Sequence, residues 1–253
     1  MDRTQRGHLK IFFSYGESIG KTMAMLKAAQ AARSQGLEVL AGYLSPNLSG
    51  EAAALLEEFP RLLPALVNGR EEFDLDQALH WKPDLILVDE LAHSNEPGSR
   101  HRRRYQDIDE LLQAGIDVYT TVNVGNIESL HDTVTAITGM TAWERIPDSV
   151  FDQADQVELI DIEPQELIER LRESDTADSA FTVEQLTALR ETALRRCADR
   201  VRRLSDRERK NSFHTDEHIL VCLSSAPSNA KIIRTAARMA GAFNSQFTAL
   251  FVE

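Results

Sequence analysis

The chain has 253 residues, 42% of them apolar, which is enough for a sizeable core, yet no stretch approaches the roughly 20 apolar residues that a bilayer-crossing helix needs. Its formal net charge of −12 argues against general nucleic-acid binding, which is the work of basic domains. Two cysteines, Cys197 and Cys222, stand apart from any second metal ligand, and no secretory signal precedes them, so a reduced cytoplasmic protein with both thiols buried is expected.

In chain order, strand patterns occur at 9–13, 37–43, 85–89, 116–122 and 157–160, with helical periodicity at 21–33, 105–113, 127–137 and 166–171. Strand alternating with helix predicts βαβ crossovers and a mostly parallel sheet with helices on both faces. Sites are then expected beyond the carboxyl ends of strands, where the loops at 14–20 and 90–104 begin. The small, acidic run ESDTADSA at 173–180 reads as a connector.

A long helix follows, with Leu186, Leu189, Ala193, Cys197, Val201 and Leu204 on one stripe. Between residues 190 and 210 it carries nine Lys/Arg against four Asp/Glu, so it either packs on the sheet with a solvated basic face or serves as a connector between domains. The chain then runs HILVCLS, SNAKIIRTAARMAGAF and SQFTALFVE, a strand, a helix and a strand. About forty residues of βαβ cannot bury both faces of a sheet alone, which predicts the opening of a second α/β domain. The expected organisation is 1–175, a sheet domain; 176–212, linker and basic amphipathic helix; and 213–253, a partial second domain.

Residues 9–22, LKIFFSYGESIGKT, run from an apolar strand through a loop into Gly-Lys-Thr and a helix. A P-loop holds phosphates with inward backbone N–H groups and a Lys, and holds Mg²⁺ with the following Thr or Ser. The strict pattern G-x-x-x-x-G-K-[ST] would place its first glycine at position 15, where this chain has Tyr15, with Gly16 one place late. Glu17 adds a carboxylate to a turn meant for anions and, unless it points outward, lowers affinity. A second element supports the motif: DLILVDE, 84–90, delivers Asp89 and Glu90 to a strand end about seventy residues on. In P-loop enzymes an Asp there helps hold Mg²⁺ and an adjacent Glu orients the attacking water. The pairing predicts a P-loop NTPase-like fold. The candidate site is Gly16, Ser18, Gly20, Lys21, Thr22 and Asp89 for nucleotide, Thr22 and Asp89 for Mg²⁺, and Glu90 as the catalytic residue.

VDELAHSNEPGSRHRRRYQDIDELLQAGIDVYTTVNVGNIESL, from position 88, resembles the N-terminal cytoplasmic domain of KdpD-type potassium-sensing histidine kinases. LKIFF, GKT, IPDSVFDQADQVELIDI (146–162) and LTALRETALRRCADRV (186–201) are similar to the same family in the same order. The resemblance implies a P-loop-like regulatory domain, then a universal-stress-protein-like domain, of which the final strand-helix-strand resembles the first unit. Four membrane helices and a histidine kinase core follow in that family. It further implies a cytoplasmic location within a membrane-anchored parent, with the kinase's other domains and, indirectly, a response regulator as partners. ATP with Mg²⁺ is the implied cofactor, and any phosphotransferase activity belongs to the parent, because the kinase core is absent from this chain. The family loop reads G-x-x-x-G-x-G-K-T; here Ser14 and Ser18 stand where its first two glycines would be, so glycine-only backbone angles are expected to be lost and nucleotide binding to be weak or absent.

Three functions stay open: a sensory regulatory module, which the resemblance implies; an active Mg²⁺-dependent nucleotide switch; and a ligand-free scaffold that docks partners through the basic helix from Arg190 to Lys210, with Arg195, Arg196 and Arg200 as the positions where charge reversal tests it. The run SRHRRR, 99–104, reads equally as a phosphate or acidic-partner contact and as a solvated loop. Thr121 and Asn123 are placed to reach a ligand at the sheet edge, and Asn126 is expected to cap a helix.

Overall fold

The computed structural model describes residues 6–46, 48, 50–173, 181–209, 218–225, 229–243 and 245–251. In chain order the strands are β1 (Leu9–Ser14), β2 (Val39–Tyr43), a hairpin of β3 (Ala65–Val67) and β4 (Arg70–Glu72), β5 (Leu85–Val88), β6 (Asp117–Asn123), β7 (Gln156–Leu159), β8 (His218–Leu223) and β9 (Gln246–Phe251). The helices are α1 (Lys21–Ser34), α2 (Gly50–Leu56), α3 (Leu75–Trp81), α4 (Arg104–Gln113), α5 (His131–Thr138), α6 (Asp148–Gln153), α7 (Pro164–Glu173), α8 (Val183–Arg209) and α9 (Asn229–Ala242). Five strands make one sheet in the order β2-β5-β6-β1-β7, and every neighbouring pair is parallel.

Strands buried on both faces are near-continuously apolar, and LKIFFS in β1 and LILV in β5 satisfy that demand. The period of two sends Phe12 to one side, among Met25, Leu26 and Ala29 of α1, and Ile11 and Phe13 to the other, among Ile108, Leu111, Phe151 and Leu186. Phe13 meets Phe151 edge-on, with ring centroids 4.8 Å apart.

Helix α8 packs on the sheet domain, as one of its two readings expects. Leu186, Leu189 and Ala193 are buried, but the stripe ends early, since Val201 is exposed. The scaffold reading, which takes this helix as its contact surface, needs correction: of the three arginines chosen to test it, two point inward. Arg196 is buried, lies 2.7 Å from Asp152 and stacks over the Phe151 ring at 4.6 Å. Arg200 is buried and donates to the carbonyls of Phe151 and Ala154, groups that the end of α6 leaves without helical partners. Only Arg195 of the three faces solvent.

Several other expectations shift. The small elements α2, α3, α6 and the β3–β4 hairpin are too short, at three to seven residues each, for periodicity to reveal. The helix expected over 127–137 opens instead as two 3-10 turns, Val124–Asn126 and Glu128–Leu130, before α5 begins. Asn126 therefore does not cap α5. It accepts from the Asn123 N–H and donates to the Glu144 carbonyl at 2.9 Å. Neither cysteine is fully buried: Cys197 is half-buried, and Cys222 is exposed because it alternates with Val221, the buried residue of β8. Residues 174–180 of the predicted connector lie outside the described residues.

The strands β8 and β9 pair in parallel with α9 against them, leaving Leu220 and Leu250 exposed. Arg234 of α9 reaches Glu128 at 3.0 Å and Asp132 at 3.2 Å, tying this unit to the 3-10 segment that follows β6 and to the start of α5.

Inward and outward arginines on one helix should separate in a urea unfolding series. Arg200→Ala leaves two buried carbonyls without donors and is expected to cost about 2–4 kcal/mol. Arg195→Glu, on the solvated face, is expected to stay within about 0.5 kcal/mol of the parent.

Candidate functional site

Strand β1 ends at Ser14 and the chain turns through 15–20 into α1, so Lys21 stands in the first turn of that helix. Tyr15, at the position of the strict motif's first glycine, turns into the core, and its hydroxyl donates to the Ile162 carbonyl at 3.0 Å. Burial, with Asp161 nearby, pushes its phenol up to about 12. Of the two positions where glycine-only angles were expected to be lost, Ser14 needs none and Ser18 keeps one. Ser14 belongs to β1, and Ser18 itself adopts a left-handed φ of 58°, a strain of about 1–2 kcal/mol. Gly20, at φ 104°, is the loop residue that requires glycine.

Lys21 is only 7% exposed, and its ammonium donates to the Gly16 carbonyl at 3.0 Å. Burial lowers its pKa, and the carboxylates of Glu17, Asp89 and Glu90 act in the opposite direction. The Ser14 hydroxyl donates to the same Gly16 carbonyl at 2.7 Å and lies 3.0 Å from Asn123 Oδ1.

Strand β5 delivers Asp89 to the same edge. It does so from one strand away, since β6 lies between β5 and β1, and β6 bridges the gap with its own last residues. The Thr22 hydroxyl donates to Asp89 Oδ2 at 3.1 Å, and the Thr121 hydroxyl donates to Asp89 Oδ1. The Glu90 N–H closes on Oδ1 at 3.1 Å. Glu90 takes a left-handed φ of 60°, and burial, followed by the neighbouring Asp89 charge, raises its carboxyl pKa. Gly16, Ser18, Gly20, Lys21, Thr22, Asp89 and Glu90 thus share one edge of the sheet. Thr121 and Asn123 join them.

Beneath Asp89 lies Arg104, with no exposed surface. It donates to Glu72 Oε2 at 3.0 Å and to the Asp89 carbonyl at 3.3 Å, stacks over the Tyr43 ring at 4.0 Å, and lies 3.7 Å from Glu90. Burial alone would raise the Glu72 carboxyl, but hydrogen bonds from His93 and the Glu96 N–H, with the charges of His93 and Arg104, bring it below the ordinary range. His93 in turn is raised, first by its hydrogen bond with Glu144. Glu72 escaped sequence reasoning because EEFDLD offers no spacing that marks it. Arg104 was hidden in SRHRRR, where Arg100 pairs with Asp76 at 2.7 Å and His101 with Glu110 at 2.8 Å, so part of the run is committed to carboxylates from α3 and α4.

Among the described residues no group of three or more His, Cys, Asp or Glu is placed to hold a metal. Thr22 and Asp89 would therefore hold Mg²⁺ only with phosphate oxygens completing its shell, which is how Mg²⁺ is commonly bound. A cleft of about 590 Å³, lined by Tyr105, Asp109, Val150 and Gln153 among others, opens beside α4 and α6, away from this loop.

A parallel sheet covered by helices on both faces, with a loop, a lysine and a buried carboxylate meeting at the carboxyl ends of its strands, defines the molecule as an α/β protein with a candidate site at its sheet edge. Within that class the chain belongs to the KdpD family, described as the osmosensitive K⁺ channel His kinase sensor domain, whose pattern matches residues 5–201. It is 46% identical over 267 residues to the sensor protein KdpD of Clostridium acetobutylicum and 45% identical to that of Escherichia coli, covering 98% of this chain and 30% of each relative. A putative sensor protein KdpD of Synechocystis is 38% identical, with 98% of this chain and 71% of the relative covered. The chain thus spans under a third of the length of the first two. Among the described residues no helix is long and apolar enough to cross a membrane.

Next to Arg104 on α4, Asp107 is buried and accepts from Asn95 at 2.6 Å, and burial pushes its carboxyl up to about 6. A raised carboxyl favours the folded state most when protonated, so its contribution is full below about pH 4 and is lost as pH rises to about 6. The unfolding free energy of the parent minus that of Asp107→Asn should fall by about 2–3 kcal/mol across that window and stay flat above it, read from urea melts at stepped pH.

Proposed function

We propose that this chain is the regulatory N-terminal region of a sensor histidine kinase that controls potassium-transport genes, and that its sheet edge is a weak Mg²⁺-dependent nucleotide site. The observation that carries the nucleotide reading is the Thr22–Asp89 hydrogen bond, 3.1 Å, between the residue after the loop lysine and the carboxylate delivered by β5. Membership of the KdpD family supports the regulatory half of the reading.

In this reading Lys21 and the N–H groups opening α1 face the phosphates, and the helix dipole adds to their pull. Thr22 and Asp89 are the oxygen donors for Mg²⁺, which would neutralise phosphate charge there. Thr121 holds the Asp89 carboxylate in place from the other side. Glu90, its carboxyl raised by burial, is suited to orient a water and take its proton. Arg104 keeps the 89–90 turn in register from below. The histidine that carries a phosphoryl group, and the step to a response regulator, belong to parts of the parent outside this chain. The region would lie in the cytoplasm and act on the kinase's other domains.

A ligand-free scaffold is the alternative, and it draws on the placement of Glu17 beside Lys21. Titration calorimetry with nucleotide and Mg²⁺ separates the two. The nucleotide reading expects weak binding that Lys21→Ala lowers by at least about tenfold and that Asp89→Asn uncouples from Mg²⁺. No heat for any nucleotide with the parent chain would leave the scaffold. For the regulatory role, restoring this segment to a family sensor lacking its own N-terminal region should restore the low-potassium response of a transport-gene reporter, and an unchanged response would reject it.

A further inference from the structure

The donors at the mouth of the loop are already engaged. Lys21 Nζ lies 3.9 Å from Glu17 Oε2, besides its bond to the Gly16 carbonyl. The Asn123 amide, at the end of β6, donates to Glu17 Oε1, while its own oxygen faces the Ser14 hydroxyl. One carboxylate thus meets both the buried cation and the side-chain amide that a phosphate entering this edge would meet. Glu17 itself is 82% exposed, so it stands at the entrance of the loop and is free to swing away. The charges do not favour a further anion: Glu17, Asp89 and Glu90 all act on Lys21, and the nearby Arg104 is committed to Glu72.

We infer that Glu17 is a specificity-determining residue of this site: its carboxylate stands in for a terminal phosphate, so the loop takes a nucleoside diphosphate with Mg²⁺ in preference to a triphosphate. The inference rests on the nucleotide-binding reading above. In a P-loop one lysine serves the β and γ phosphates together. Here that lysine shares its charge with the Glu17 carboxylate, and a γ-phosphate would bring its added negative charge against it. A diphosphate leaves the carboxylate where it is. The discrimination is electrostatic and not a matter of space, because an exposed side chain yields to a ligand at small cost. It must therefore weaken as salt shortens the screening length from about 10 Å at 0.1 M to about 3 Å at 1 M.

The test is titration calorimetry of the chain with ADP and with ATP, each with Mg²⁺, on the parent, Glu17→Gln and Lys21→Ala, at low and high salt. Glu17→Gln keeps an acceptor for Asn123 and removes the charge; its thermal unfolding should match that of the parent. The expected result is ADP binding roughly tenfold tighter than ATP in the parent, with the ratio falling towards one in Glu17→Gln through tighter ATP binding, and falling also in the parent at high salt. Equal affinities in the parent, or an unchanged ratio in Glu17→Gln, would overturn the inference while leaving nucleotide binding intact. No binding of either nucleotide by the parent or by Glu17→Gln would instead remove the nucleotide reading, and the inference with it.

Discussion

A single buried carboxylate organises the carboxyl edge of this sheet. Asp89 is almost without solvent contact, and a charge so placed is tolerated only when its oxygens are satisfied. The Thr22 hydroxyl donates to one oxygen from the start of α1, and the Thr121 hydroxyl donates to the other from β6. Because those donors belong to different elements, satisfying Asp89 also holds the loop after β1, the turn after β5 and the end of β6 at fixed spacing. The same contacts would preorganise an Mg²⁺ site, so stability and the proposed chemistry draw on one set of hydrogen bonds.

Arginine plays the complementary part. In a chain of net charge −12, Arg104, Arg196 and Arg200 are buried, each against acidic side chains or main-chain carbonyls. The planar guanidinium suits this work, since it spreads several donors over one buried cation and stacks on aromatic rings, as Arg104 does on Tyr43 and Arg196 on Phe151. A run of basic residues on α8 therefore marks a packing face as much as a wet one. Its inward arginines close the carboxyl end of α6 and fix that helix beside β1.

The loop separates shape from charge. Tyr15 anchors its first half in the core, Ser18 accepts a left-handed angle and Gly20 provides the one conformation that needs glycine. The charge of the loop is set by a different residue, because Glu17 brings a carboxylate to within 3.9 Å of Lys21. In the proposed reading, the choice of ligand follows from that charge more than from the backbone.

The parallel sheet, the loop with its Lys21 and Thr22, and the Asp89–Glu90 pair were legible in the sequence. Continuous apolar strands and a strand–loop–helix signature are local patterns, written within a few residues of one another. The resemblance that led to the family lay in a contiguous block for the same reason. Glu72, the inward turn of Arg196 and Arg200, the pairing of Asn123 with Glu17 and the open setting of Cys222 left no such mark. The charged and amide contacts join residues 32 to 106 positions apart, and all of these features depend on which face of an element meets another. That choice is made only when the sheet closes and the cost of burying unpaired charge selects the partners.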